Sequence, residues 1–335
     1  MHKDSQSKGD RLVVLGTGGT ISGSSAVGSD NIGYTTGVLD VNQLFAGIDA
    51  PEGFTLQAEQ VAQLDSKDMD FGTWQRLAQR CIDWLAQPDI AGIVITHGTD
   101  TLEETAFFLQ AVVNPVKPVV LTCAMRPATA LAPDGPQNMR DALVVAATRE
   151  VSGVMVVCAG VVHGACDVQK VHTYRLDAFS SGDAGPIGFV EEGAVRFVRH
   201  CPVAANAGVP VTAALTTEPV DWPKVEIVMS HAGVRGTVVE ALMQPSPSTR
   251  AQSGVTTPMV DGLVVAATGN GTIHFELEKA LLLAQARGIR IVRSTRCPEG
   301  RIFPRQQENF QDAGALTPVK ARIALLVELL SRQQA

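Results

Sequence analysis

Arg11-Leu12-Val13-Val14-Leu15-Gly16-Thr17-Gly18-Gly19-Thr20 decides how the chain is read. Its first five residues form a short apolar run suited to a strand. Three glycines in the next four positions let the backbone turn tightly and come close to a ligand, because no Cβ intervenes. In open α/β sheets ligands bind beyond the carboxyl ends of the strands, which is where this turn falls. It carries two threonine hydroxyls, and a hydroxyl in a glycine-lined turn at a strand's carboxyl end is well placed to act as a nucleophile. A phosphate loop is the obvious competitor and fits poorly. A dinucleotide fingerprint needs a third glycine where Ile21 stands, and a P-loop needs a lysine that does not follow. Taken alone, the run suits a structural turn as well as a ligand loop.

Outward from that turn, β-rich runs alternate with helical patterns. Phe54–Leu64 contains a strand, and Asp70 caps a helix whose apolar residues Phe71, Trp74, Leu77, Ala78, Cys81, Ile82 and Leu85 keep helical spacing. Asp40 caps a shorter helix through Phe45. Ile90–Thr96 is near-continuously apolar, as expected of a strand covered on both faces. Helices follow at about Leu102–Val113 and Pro136–Arg149, and strands at Pro118–Ala124 and Gly153–Ala159. Pro186–Val198 alternates around a Glu-Glu-Gly turn and reads as a hairpin. This order predicts a larger N-terminal α/β domain with a mainly parallel sheet over residues 11–200, after a polar tail at 1–10. Four prolines between His200 and Lys224 suggest a linker over 201–224. A smaller α/β domain over 225–335 is then expected, with strands at Val225–Met229, Gly262–Thr268 and Ile289–Arg293. Its helices are expected at Thr237–Met243, Phe275–Arg287 and Pro318–Arg332.

Composition narrows the function. The 335 residues suit two domains of ordinary size, and 45% hydrophobic with 18% charged residues suits a globular protein with a large core. A net charge of −7 without a long basic run argues against nucleic acid or an anionic membrane as partner. No apolar run approaches the roughly 20 residues of a membrane span. The polar start lacks the apolar core of a signal peptide, so the simplest expectation is a cytoplasmic protein, unless a leader has been removed. The six cysteines are widely spaced, and most lie in apolar stretches and read as buried thiols. The seven histidines form no ligand cluster, so no metal is implied.

Three polar clusters fall at the expected ligand edge: Gly16–Thr20, Asp65-Ser66-Lys67-Asp68 and Thr96-His97-Gly98-Thr99-Asp100-Thr101. One reading of the third is helix capping by Asp100 or Thr101. The other gives Thr99 a hydroxyl near substrate and makes Asp100 the partner of a cation. The two readings are compatible.

Gly16–Ile21 followed by Thr96–Thr101 and Glu103-Glu104-Thr105 resembles the bacterial L-asparaginase family. Ala124–Pro127, Asp134–Asn138 and Asp167–Lys170 add to the likeness, which extends from about residue 11 to the final helix. The resemblance implies amide hydrolysis through an acyl-enzyme, with no cofactor. In it Thr20 is the nucleophile and Tyr34, on a mobile loop, helps to withdraw its proton. Thr99, Lys170 and Asp100 form a second relay. A threonine hydroxyl is a weak nucleophile at neutral pH, which is why such partners are needed. Backbone N–H groups near Gly19 and Thr99 are candidate oxyanion donors. Asp100 matches the residue that binds the substrate ammonium, and Ser66 the one that binds its α-carboxylate. Lys67 stands where relatives that favour free amino acids often carry glutamine, so it bears on the ratio of asparaginase to glutaminase activity. The glycines and serines between Thr20 and Tyr34 suit a lid over substrate.

The resemblance also implies a homotetramer, a dimer of dimers with sites at the dimer interface. Glu308, Asn270 and Thr272 are candidates to face a neighbour's site. Some exported relatives bridge two cysteines where this chain has Ala86-Gln87 and Pro115, which favours the cytoplasm. Two other readings remain: the glutaminase component of a tRNA-dependent amidotransferase, and a non-catalytic amino-acid-binding module. Such amidotransferase relatives carry an extra N-terminal domain, and here about ten residues precede the first strand.

Overall fold

Strand β1 spans Asp10–Gly18, and its glycine end is part of the strand rather than a turn after it. Gly16 still pairs with Gln60 and with Thr96, and Gly18 pairs with Leu64 after a register shift. The computed structural model describes residues 10–44, 47–149, 151–200, 211–245, 258–304 and 308–333. Within them the chain divides into two compact units, one running to Val211 and the other starting at Thr212.

The first unit contains β2 (Phe54–Leu64), β3 (Ile90–Thr96), β4 (Pro118–Thr122), β5 (Gly153–Cys158) and β6 (Val161–Gly164), then β7 (Gln169–Lys170), β8 (Phe179–Ser180), β9 (Gly188–Glu191) and β10 (Ala194–Phe197). Its main sheet has the order β10-β9-β6-β5-β4-β3-β1-β2, and β7 pairs only with β8. Strands β2, β1, β3, β4 and β5 are mutually parallel, and β6, β9 and β10 extend the sheet antiparallel. The helices are α1 (Val41–Leu44), α2 (Phe71–Leu85), α3 (Leu102–Val112) and α4 (Gly135–Ala147). Alternate strand residues face opposite sides. Leu12, Val14, Val94, Val120, Met155 and Val157 accordingly pack with Met139 and Leu143 of α4. On α2 and α3, Trp74 stacks on Phe108 and its indole N–H donates to Thr105 Oγ1 at 2.9 Å. Asp70 caps α2 through Thr73 N, and Asp40 accepts from Gln43 N at the head of α1. Phe45, expected to end α1, lies outside the described residues.

The second unit has a parallel sheet, β11 (Val225–Met229), β12 (Gly262–Ala267), β13 (Arg290–Thr295) and β14 (Gln311–Asp312), in that order. Helices α5 (Thr212–Thr216), α6 (Thr237–Leu242), α7 (Phe275–Ala286) and α8 (Pro318–Gln333) accompany it. The stretch expected to be a linker lies outside the described residues from 201 to 210. From Thr212 it is folded into the second unit as α5 and a 3-10 turn at Pro219–Asp221, where Trp222 is buried. Prolines at 219 and 223 frame a buried tryptophan instead of loosening the chain. Among the described residues no helix is long and apolar enough to cross a membrane.

Gly18 and Gly19 have φ of 100° and 83°, and a Cβ on Gly19 would fall on the backbone of Gly98. Gly19→Ala is therefore expected to destabilise the protein by about 1–3 kcal/mol. Urea unfolding of the purified variant measures this, and an unchanged midpoint would show that the two turns can separate.

Candidate active site

The carboxyl ends of β1, β2 and β3 bring together the three polar clusters. Gly19 and Gly98 touch backbone to backbone, and a Cβ on Gly98 would also collide with the Ser66 side chain. Hydrogen bonds tie the loops to one another. Thr17 Oγ1 donates to the Thr96 carbonyl at 2.7 Å, and the Gly19 N–H to the Leu64 carbonyl at 2.9 Å. Thr101 Oγ1 donates to the Ser66 carbonyl at 2.7 Å, and the Asp100 N–H to Ser66 Oγ at 3.2 Å. Asp65 caps the short turn at Ser66–Asp68 by accepting from Lys67 N. Each loop is thus fixed by its neighbours before any ligand arrives.

These loops wall a cavity of about 210 Å³ lined by Thr20, Tyr34, Ser66, Thr99, Asp100 and Lys170. Its size is below the roughly 300–1,000 Å³ of sites for drug-sized ligands, which suits a small substrate. Thr20 is 5% exposed, and its Oγ1 lies 2.6 Å from the Tyr34 hydroxyl. Lys170 Nζ donates to Thr99 Oγ1 at 2.8 Å and to Asp100 Oδ1 at 2.7 Å. Lys170 arrives from β7, far along the sequence. Its backbone N–H donates to Glu103 Oε2 at 2.9 Å, in the first turn of α3. One helix start thus presents Thr99 and Asp100 to the lysine side chain and holds the lysine backbone. A carboxylate there is favoured by the helix dipole. The side chains of Lys170 and Asp100 are 19% and 54% exposed, so this ion pair retains solvent on its acidic side.

Several expectations need correction. Lys67 does not line the cavity. Its side chain is 60% exposed and its ammonium is held by Asp68, which also raises its pKa, chiefly through that hydrogen bond. Gly19 does not line the cavity either, and its N–H is bound to Leu64, so it has no proton left for an oxyanion. Its contribution is the close approach to Gly98. The capping reading fails for α3: Thr101 is the N-cap residue without a side-chain cap bond, because its hydroxyl is turned to Ser66 and the Asp100 carboxylate is turned to Lys170. Among the described cysteines, Cys81, Cys123 and Cys158 are buried, whereas Cys166 and Cys297 are exposed. Cys201 lies outside the described residues.

The three residues proposed to face a neighbour are tied within the second unit. Glu308 pairs with Arg293, whose side chain is 4% exposed, at 2.9 Å. Asn270 bonds the backbone N–H and carbonyl of Phe303, and Thr272 bonds Thr268.

Other wall residues were not foreseen. Asn31 and Ile32 line the cavity from the loop before Tyr34, and Asn31 Oδ1 is buried without a hydrogen-bond partner. Met125 lines it from beyond β4, and Thr173 and Tyr174 from beyond β7. Asn31 and Ile32 lie in the stretch read as a lid and Met125 in a quoted motif, whereas Thr173 and Tyr174 lay in no segment that the sequence reading singled out. Glu103 likewise stood in a quoted motif without a role.

His97 is fully buried between these loops. Its Nδ1 lies 2.7 Å from the Gly98 carbonyl, so that nitrogen carries the proton, and Nε2 has no partner. Burial pushes its pKa down to about 4.

Residues 11–202 match the family described as "Asparaginase, N-terminal", and residues 224–334 the "Glutaminase/Asparaginase C-terminal domain". The chain is 33% identical to L-asparaginase 2 of Escherichia coli strain K12, over 95% of this chain and 88% of that protein. It is 32% identical to the glutaminase-asparaginase of Pseudomonas fluorescens biotype A, over 98% and 89%. A crystal structure of a probable cytoplasmic L-asparaginase from Campylobacter jejuni superposes with a TM-score of 0.84 at 34% identity, covering 96% of this chain and 95% of that one.

Two outcomes follow from the geometry. Glu103→Ala should lower kcat/KM by about tenfold, the scale of a lost hydrogen bond to a charged group, while Glu103→Gln, whose amide oxygen can still accept, should keep most of it. Steady-state kinetics on both variants tests this. The second concerns pH. A buried neutral histidine with a depressed pKa binds no proton in the folded state between about 4 and 6.5, whereas the unfolded chain does. Its contribution to stability is complete above pH 6.5 and falls by up to about 3 kcal/mol as pH drops towards 4. His97→Gln should flatten that part of the curve of melting temperature against pH. An acid limb of unchanged slope would assign the loss to other groups.

Proposed function

The chain belongs to the asparaginase family, and from that premise we propose that it hydrolyses L-asparagine to L-aspartate and ammonia through an acyl-enzyme on Thr20. The observation that carries the mechanism is that one small cavity holds two hydroxyls, each with its own proton partner: Thr20 with Tyr34, and Thr99 with Lys170. In this reading Tyr34 draws the proton from Thr20 Oγ1 as that oxygen attacks the side-chain amide carbon. Ammonia leaves with a proton from the site. Water, oriented by Thr99 and the Lys170–Asp100 pair, then opens the ester. Asp100, the exposed carboxylate at the cavity edge, takes the substrate ammonium. Ser66 faces the α-carboxylate. The loop bearing Asn31, Ile32 and Tyr34 acts as the lid that excludes water.

The relatives include both asparaginases and glutaminase-asparaginases, and a weaker glutaminase activity is part of this reading. Lys67, paired outside the cavity, does not set the ratio. Self-association into a homotetramer is also part of it. Helix α7 leaves Phe275, Leu282 and Leu283 exposed, apolar side chains that a second copy would cover. A cytoplasmic location is also part of this reading, in line with the buried thiols of Cys81, Cys123 and Cys158.

Thr20→Ala and Thr99→Val should each lower ammonia release from L-asparagine by roughly a thousandfold or more with the melting temperature kept. Near-wild-type turnover in either would sink the mechanism. Ammonia release from L-asparagine, L-glutamine and D-asparagine should fall in preference for the first, and Lys67→Gln should leave the L-asparagine to L-glutamine ratio within about twofold, as for an exposed ion pair. Asparagine binding by calorimetry without ammonia release would point instead to a binding module.

A further inference from the structure

Ala124–Pro127 and Asp134–Asn138 were singled out in the sequence, yet the proposed chemistry uses no residue of theirs, and only Met125 lines the cavity. The segment 125–134 is built as a stiff loop. The Asp134 carboxylate accepts from the Met125 N–H at 2.9 Å and the Arg126 N–H at 3.0 Å, which clamps the two ends together. Arg126 Nη1 donates to the Ala132 carbonyl at 3.0 Å, and the Ala130 N–H to the Pro127 carbonyl at 2.9 Å. Asn138, one turn into α4, ties the base further by donating to the Cys123 carbonyl at 2.9 Å.

Along its outer edge this loop grips the segment that leads to Asn31 and Tyr34. The Ala128 N–H donates to the Gly23 carbonyl at 3.0 Å, and the Leu131 N–H to the Gly28 carbonyl at 3.0 Å. Between them, Thr129 Oγ1 accepts from the Ser25 N–H at 2.8 Å and donates to the Ser25 carbonyl at 3.1 Å. One hydroxyl therefore satisfies both backbone groups of one residue. On its other edge the same segment is held by the paired backbones of Ser24 and Thr35, 2.9 Å in both directions. Tyr34 is the neighbour of Thr35, so whatever holds Ser24 and Ser25 also holds the phenol at 2.6 Å from Thr20.

We propose that Thr129 is a positioning residue for the amide hydrolysis: it latches the lid segment at Ser25 to the rigid 125–134 loop and so keeps Asn31, Ile32 and Tyr34 over the cavity before substrate binds. This rests on the reading of Thr20 and Tyr34 given above. Thr129 itself is exposed and does not line the cavity, so it acts through the lid alone. With the latch present the ordering of the lid is complete in the unliganded enzyme. Without it, part of the binding free energy goes into closing the lid, and the deficit falls on KM.

The test is Thr129→Val, which keeps the branched shape and removes both hydrogen bonds, with Thr129→Ser as the rescue because it keeps the hydroxyl. In T129V, KM for L-asparagine should rise about three- to thirtyfold, the range for two exposed hydrogen bonds, with kcat within about twofold and the melting temperature within a few degrees. Hydrogen exchange of a peptide covering 24–34 should quicken by a similar factor, and T129S should restore both. Wild-type KM and exchange in T129V overturn the proposal, as does a raised KM with unchanged exchange. Should Thr20→Ala remain active, the acyl-enzyme reading fails, while faster exchange in T129V would still report the latch; the two ideas therefore fail separately.

Discussion

The contact between Gly19 and Gly98 governs the site. Two backbones from adjacent parallel strands, β1 and β3, leave the sheet and meet with no side chain between them. That closeness places Thr20 one residue beyond one glycine and Thr99 one residue beyond the other. The spacing of the two hydroxyls across the cavity is thereby a property of the sheet rather than of a flexible loop, and reacting groups held by rigid elements need little reordering. The left-handed φ at Gly19 is one that glycine adopts without a Cβ clash, and cross-bonds from Thr17, Ser66 and Thr101 hold the arrangement.

Lys170 shows the opposite solution. It comes from a two-residue strand outside the main sheet, with little regular structure to fix it. Its position depends on the head of α3, through Glu103 on its backbone and Thr99 with Asp100 on its ammonium. The helix that orients the lysine is the one whose preceding loop carries the second hydroxyl, so an error in one is shared by the other. The sheet sets where the Thr20 hydroxyl is, and the helix start sets where the charge is.

What the sequence made legible follows the same division. Strands β1 and β3 were readable as short apolar runs buried on both faces, and helix α2 because its apolar residues keep helical spacing over several turns. Strand β6 was not, because the turn before it is Ala159-Gly160, both at left-handed φ of 51° and 75°, without the usual Asn-Gly signal. A distant group tolerates alanine there: Asn138 Oδ1 accepts the Ala159 N–H at 2.9 Å. The Thr20, Thr99 and Lys170 cluster was legible through the resemblance, not through periodicity. Lys67 was misplaced because Asp68, its next neighbour, competes for it, and which carboxylate a long exposed side chain meets is decided by rotamers that no spacing encodes. The stretch expected to be a linker is folded from Thr212 onward, because proline suits both a loose connection and the turns that frame Trp222.

Three buried polar atoms in this region lack partners: Thr96 Oγ1, His97 Nε2 and Asn31 Oδ1. Elsewhere in a folded protein such atoms are rare, because each forfeits the hydrogen bonds that water offered. Their positions differ in meaning. Thr96 and His97 are fully buried beside the glycine contact. They are the desolvation that the close approach entails. Asn31 instead lines the cavity, so its carbonyl can be satisfied by an N–H that enters there. An unmet acceptor in the segment before Tyr34, beside the hydroxyls of Thr20 and Thr99, is chemically suited to a ligand that brings an N–H group.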